Sequence, residues 1–118
     1  MLLVDTSVWV AHLRQGTVGL HALLMEGRVM CHPFIIGELA CGNLRQRAEI
    51  LALLQALPQV IVAQHEEVMN FLENYRLMGK GLGYIDLHLL ASAKLTGVWL
   101  LTLDQKLNQV AGKLGLAP

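Results

Sequence analysis

Three aspartates occur in this 118-residue chain, and each sits against a hydrophobic run: Asp5 ends MLLVD, Asp86 lies in YIDLHLLASA, and Asp104 follows VWLLTL. Glu38, inside PFIIGELA, is a fourth carboxylate in an apolar segment. A carboxylate taken out of water alone is costly, so it finds a cation, hydrogen-bond donors or a proton. Lysines and arginines near these positions are too few to serve all four, and a divalent metal is the simplest shared partner. Mg²⁺ and Mn²⁺ prefer carboxylate and water oxygens and keep waters that can be activated or bridged to a phosphate. That chemistry suits phosphodiester hydrolysis, in which one or two ions polarise a phosphoryl oxygen, acidify an attacking water and stabilise the leaving oxygen. It needs no serine, cysteine or histidine nucleophile.

Each acid also has an ordinary explanation. Asp5 before Thr6-Ser7, and Asp104 before Gln105-Lys106-Leu107, are good helix N-caps. Asp86 could complement a helix dipole. Glu38, between Gly37 and Leu39 in mid-helix, has no capping role, and the four together are harder to dismiss than any one. Thr6, Ser7 and Thr102 are placed to hydrogen-bond the acids or a water beside them. The histidines share no ligand spacing and make no zinc motif. His32, before Pro33, reads as a helix cap or start, and His88, two residues past Asp86, points away from it. Trp9 and Trp99 read as core or interface rather than stacking platforms for bases.

Positioning these acids requires strands that end at them. Continuous β-type apolar runs, the mark of strands buried on both faces, recur at Leu2 to Asp5, Arg28 to Cys31, Gln59 to Val62 and Val98 to Thr102. Helical patterns lie between: from Thr6 toward Gly16, from Pro33 to Gly42, from Arg45 to Ala56, from Gln64 to Met78, and from Tyr84 to Leu95, the last apolar nearly all round. Gly79-Lys80-Gly81-Leu82-Gly83 is the most flexible connection. Strands alternating with helices over short connections imply a parallel sheet covered on both faces, with right-handed crossovers. In such a sheet the crevice lies beyond the carboxyl ends of the strands, where strand order reverses. If the first and last strands are neighbours, Asp5 and Asp104 face it together. Asp86, in the first turn of its helix, joins them, and Glu38 reaches in from the flank.

The composition fits one domain, residues 1–118, with one core. Hydrophobic residues make up 54% and charged residues 15%, an apolar balance suggesting that another chain covers part of the surface. No run approaches a membrane span and MLLVDTSVWV lacks a basic leader, so the expected location is the cytoplasm. Cys31 and Cys41 read as buried free thiols. Nine basic residues balance nine acidic ones, so charge alone gives no argument for nucleic acid. The pair Arg45 and Arg47 reads as a solvated helix start.

LLVDTSVWV, HPFIIGELACG, GYIDLHLLASA and LLTLDQKL, in that order, resemble the PIN-domain ribonucleases, and among them the small bacterial VapC-type toxins of toxin–antitoxin pairs. The resemblance runs the full length and includes the eighteen-residue spacing between Asp86 and Asp104. It implies a three-layer α/β/α sandwich around a central parallel sheet of four to five strands. It also implies RNA as the substrate, cut endonucleolytically by water with Mg²⁺ or Mn²⁺ held by Asp5, Glu38, Asp86 and Asp104. Thr102 matches the family's hydroxyl position. The usual partners of such proteins are a second copy, as a homodimer, and a small antitoxin whose tail fills the acidic site. An aspartyl-phosphate hydrolase is a poorer match, because Ser7 stands where its second acid belongs. A phosphoacceptor receiver lacks its paired acids and strand-end lysine here. The remaining rival is a PIN-like domain that binds metal or protein without nuclease activity.

Overall fold

The computed structural model describes residues 1–16 and 19–118. In chain order the elements are β1 (Leu2–Val4), α1 (Thr6–Gln15), α2 (Leu20–Met25), β2 (Val29–Met30), α3 (Pro33–Ala40), α4 (Arg47–Ala56), α5 (His65–Asn74), α6 (Tyr84–Thr96), β3 (Trp99–Leu101) and α7 (Gln105–Lys113). The strands form a parallel sheet in the order β2-β1-β3, flanked by helices. The first strand is central and the chain winds outward from it in both directions. β1 is therefore the point where strand order reverses, and the register Val4↔Leu101 sets the carboxyl ends of β1 and β3 side by side. The backbone pairing continues one residue further, with Asp5 N–H donating to the Leu101 carbonyl at 2.9 Å.

Three strands form rather than four to five. The Gln59 to Val62 run contributes a single parallel bridge, Cys31↔Gln59, held by Cys31 N–H to the Pro58 carbonyl and Val60 N–H to the Cys31 carbonyl. Beyond it, hydroxyls of α6 take the backbone donors that a ladder would have used. Ile61 N–H donates to Thr96 Oγ1 at 2.9 Å and Ala63 N–H to Ser92 Oγ at 3.0 Å. Side-chain acceptors compete here with strand pairing and win. On the other edge, Leu100 N–H donates to the Leu116 carbonyl at 2.7 Å, so β3 is covered by the segment after α7.

Leu3, Val4 and Leu100 of the sheet are fully buried against Trp9, Ile35, Leu89, Leu90 and Leu107 in one contiguous cluster. α6 has buried residues at every position from Leu87 to Ala93, which is why its sequence shows no polar face. Helix α3 starts where Pro33 takes the first turn and the Phe34 N–H donates to His32 Nδ1 at 3.0 Å, the cap expected of His32. One expectation fails at a single residue. Cys41 is exposed, because it caps the end of α3 where the chain leaves the core. Trp99 is 46% exposed, at the open beginning of β3, while Trp9 is in the core.

Candidate active site

Asp5 is the buried centre of the site, 7% exposed. Its Oδ2 accepts from the Ser7 hydroxyl at 2.8 Å and the Thr102 hydroxyl at 2.7 Å. Those hydroxyls are held in turn by the backbone past β3: Leu103 N–H donates to Ser7 Oγ at 3.0 Å, and Asp104 N–H to Thr102 Oγ1 at 3.1 Å. Each hydroxyl thus passes a backbone donor on to one oxygen of the carboxylate, a small network that satisfies both hydroxyls. Asp5 occupies the N-cap position of α1, yet its side chain makes no capping bond. It serves the crevice instead.

The other three acids are anchored in the same one-sided way. Thr6 donates to Glu38 Oε1 at 2.8 Å, which ties the start of α1 to the exposed side of α3. Gly83 N–H donates to Asp86 Oδ2 at 2.9 Å, closing the first turn of α6. Asp104 Oδ1 accepts from Leu107 N–H at 2.9 Å and caps α7. The capping reading therefore holds for Asp104 and fails for Asp5, while Asp86, read as a partner of the helix dipole, closes its first turn; each bond uses only one oxygen of its acid. Among the described residues no hydrogen bond reaches Asp5 Oδ1, Glu38 Oε2, Asp86 Oδ1 or Asp104 Oδ2, and the ion pair there is Arg28 with Glu26, which involves none of them.

The sequence argument from burial needs correcting. Glu38 and Asp104 are exposed, Asp86 is half-buried, and Asp5 alone is buried. The apolar residues flanking each acid belong to the strand or helix that carries it, and the carboxylates emerge at the open edge. Their mutual repulsion is still visible at Asp86. Burial raises its pKa, the Gly83 N–H opposes the rise, and the negative charges of Asp5 and Asp104 add to it. Asp5, Asp86 and Asp104 therefore share one electrostatic site, and Thr6 brings Glu38 to its flank.

The donor set fits a hard divalent cation. Four carboxylates, each fixed through one oxygen with a second left over, offer monodentate oxygens to Mg²⁺ or Mn²⁺. Among the described residues, however, no three acids, histidines or cysteines stand close enough together to hold an ion as they are. An open set of this kind leaves coordination positions for water and a phosphate.

The model of the PIN domain family matches residues 2–113 of the chain. The chain belongs to the PIN domain family. Ribonuclease VapC32 from two strains of Mycobacterium tuberculosis is 43% identical over 120 aligned residues, covering 99% of this chain and 95% of the relative. Among solved structures, PAE2754 from Pyrobaculum aerophilum superimposes with a TM-score of 0.59 at 16% identity, covering 97% of this chain and 88% of that one. That likeness shows that the two chains share a fold, and the parallel sheet flanked by helices is of the expected α/β class.

Sequence reasoning named the three hydroxyls that this PIN domain bonds to acids: Thr6 to Glu38, and Ser7 and Thr102 to Asp5. It missed the backbone donors, Gly83 N–H and the N–H groups of Leu103 and Asp104, which depend on how two loops fold back. It also set aside Arg45. Arg47 is tied to the Gly42 carbonyl at 3.2 Å, whereas Arg45 lines a groove of about 580 Å³ that includes Thr6 and Glu38. The histidines hold no site of this kind. His32 and His88 are buried in a cluster of three rings with Phe34, and Tyr84 O–H lies 3.0 Å from His88 Nε2 and 2.6 Å from His65 Nδ1.

Proposed function

We propose that this PIN domain, acting as a single unit over residues 1–118, is a metal-dependent endoribonuclease and the toxin of a toxin–antitoxin pair. The observation that carries the reading is the set of three aspartates at the carboxyl edge of β1 and β3 that feel one another's charge, each pinned through one oxygen, with Glu38 tied to the start of α1 through Thr6. Near-full-length similarity to a protein named a ribonuclease supports RNA as the substrate. Asp5, Glu38, Asp86 and Asp104 would hold Mg²⁺ or Mn²⁺. Bound there, the ion supplies positive charge that polarises the scissile phosphoryl group and acidifies a water.

The protein's own contribution is positional. Ser7 and Thr102 fix the Asp5 carboxylate so that its free oxygen needs no reorganisation when the site fills. Thr6 fixes Glu38 in the same manner, and the first turns of α6 and α7 fix Asp86 and Asp104. A water crossing this edge meets carboxylate oxygens able to orient it and accept its proton as it attacks phosphorus. An antitoxin that inserts a cationic side chain among the acids would silence the enzyme by replacing the metal charge. The chain works in the cytoplasm and as a homodimer in this reading, consistent with the absence, among the described residues, of a helix able to cross a membrane.

The test is cleavage of total cellular RNA by purified protein with Mg²⁺, Mn²⁺ or chelator. Either ion should support cutting and chelation should abolish it, with little change in the melting temperature. Ca²⁺, which accepts looser geometry, should support it poorly. A PIN-like domain that keeps an ion only for structure would behave oppositely, unfolding on chelation and cutting nothing.

A further inference from the structure

The groove beside Glu38 has a polarity that the acid cluster alone does not explain. Thr6, Val10, Leu13 and Arg14 line it from α1, and their spacing puts them on one face of that helix. Glu38 and Leu39 line it from α3, and Asn43 and Arg45 from the connection that follows. It thus starts at the metal-facing acid and its threonine clamp and runs along α1 to Arg14, about 12 Å further by helix rise. Neither Arg14 nor Arg45 has a hydrogen bond or ion pair among the described residues, whereas Arg28 pairs with Glu26 and Arg47 holds a carbonyl. The groove is also edged by Gln46, whose φ of 53° puts a non-glycine residue in the left-handed region, the kind of strain that gathers where ligands bind.

A dipole argument accounts for an arginine in the last turn of α1. It does not account for a second free guanidinium lining the same groove, nor for the groove's continuity with the acids. The chain has no net charge, so a polyanion gains no long-range attraction from the molecule as a whole and must be held by local cations. We propose that Arg14 and Arg45 bind phosphates of the RNA strand flanking the scissile bond, so that this groove is the track along which the substrate leaves the metal site. Val10 and Leu44 give the strand's sugars and bases an apolar wall, while Asn43 and Gln46 offer amide groups to their edges. The proposal rests on the nuclease reading above and names the substrate-positioning residues of that same site.

The experiment separates the two. A fluorescein-labelled single-stranded oligouridylate is titrated with full-length protein in chelator, where cleavage cannot occur, across a series of salt concentrations. Arg14→Ala combined with Arg45→Ala should weaken binding roughly tenfold and flatten the salt dependence by about 1.4, two phosphate contacts at about 0.7 each. The double lysine variant should keep the slope, because an ammonium still holds a phosphate. Lys113→Ala, which removes one exposed charge outside the groove, should leave both affinity and slope unchanged. In a parallel arm with Mg²⁺, the double alanine variant should cut total RNA with a raised KM and a nearly unchanged kcat. Unaltered affinity and slope in the double alanine variant would overturn the proposal and give the groove to a protein partner. A wild-type protein that cuts nothing in the Mg²⁺ arm removes the nuclease reading, and the chelator arm still decides the groove.

Discussion

Asp5 differs from the other acids in being buried and doubly held, and its loss should be felt most. Asp5→Asn keeps the shape and can still accept from Ser7 and Thr102, but it removes the central charge. RNA cleavage is expected to fall by at least about a hundredfold, the order of magnitude lost when a preorganised electrostatic group is deleted, while circular dichroism shows the native fold. Asp86 has the opposite consequence for stability. Its raised pKa means that the folded, metal-free protein binds protons more tightly than the unfolded chain, so stability falls as pH rises from the ordinary carboxylate value of 3.8 through the folded value. Asp86→Asn should therefore melt a few degrees higher than wild type in chelator at pH 7, and that advantage should vanish as the pH approaches 3.8. An unchanged difference across the range, followed by calorimetry, would show that the burial and crowding of a charge at this acid are not the cause. The four acids were legible in the sequence because chemistry depends on residue type. Their burial was not, since it depends on which side of a strand end the chain turns.

At the scale of elements, α3 matters because it carries Glu38 and is started by a buried histidine. His32 is pushed down to about 4 by burial, with the charge of His88 adding to the shift. Here the unfolded state holds the proton more tightly, so the stability is fully present above pH 6.5 and is lost as pH falls toward 4. Asn can replace His32 as a cap without titrating. His32→Asn should consequently flatten the acid side of the melting profile, recovering at most about 3 kcal/mol near pH 4. The loop before α6 gives a second test. Gly79 and Gly81 both have positive φ, at 70° and 79°, but a Cβ on Gly79 would meet open space, whereas one on Gly81 would lie 2.8 Å from Lys106 Cδ. Alanine at either position should cost about 1 kcal/mol of stability. Alanine at Gly81 alone also pushes Lys106, on the first turn of α7 beside Asp104, and should lower cleavage as well. The helices that were expected were readable to within a few residues because capping chemistry and periodicity are local: Tyr84 starts α6, Pro33 starts α3 and Gly16 ends α1 as expected, whereas α2, six residues with no side-chain cap, was missed. The strand at Gln59 to Val62 was not, because Thr96 and Ser92, far along the chain, decided where its backbone donors went.

On the scale of the whole molecule, the apolar composition leaves exposed residues where α6 ends and β3 begins. Leu95 and Trp99 are 45% and 46% exposed, and Ile61, bonded to Thr96, is 58% exposed. This patch lies at the amino end of β3, while the acids occupy the carboxyl end, so a second copy could cover it and leave the crevice open. Light scattering across a dilution series should give twice the 13.0 kDa monomer mass, and Trp99→Ser should shift the balance toward monomer without abolishing cleavage at high protein concentration. A wild-type monomer throughout the micromolar range would refute the dimer. The neutral charge and the apolar excess were correct readings of composition, but neither showed where a surface lies. The sheet order did, by bringing first and last strands together.

That pairing also fixes when the enzyme can come into being. Asp5 and the Thr102 hydroxyl that locks it lie 97 residues apart along the chain. The strand in the middle of the sheet has to wait for β3 before the crevice closes on its second side, and non-local contacts of this length are the slow ones to form. Until β3 docks, Asp5 lacks the Thr102 half of its lock. The proposed site is therefore completed late in folding, a built-in delay during which a partner already present could capture the chain.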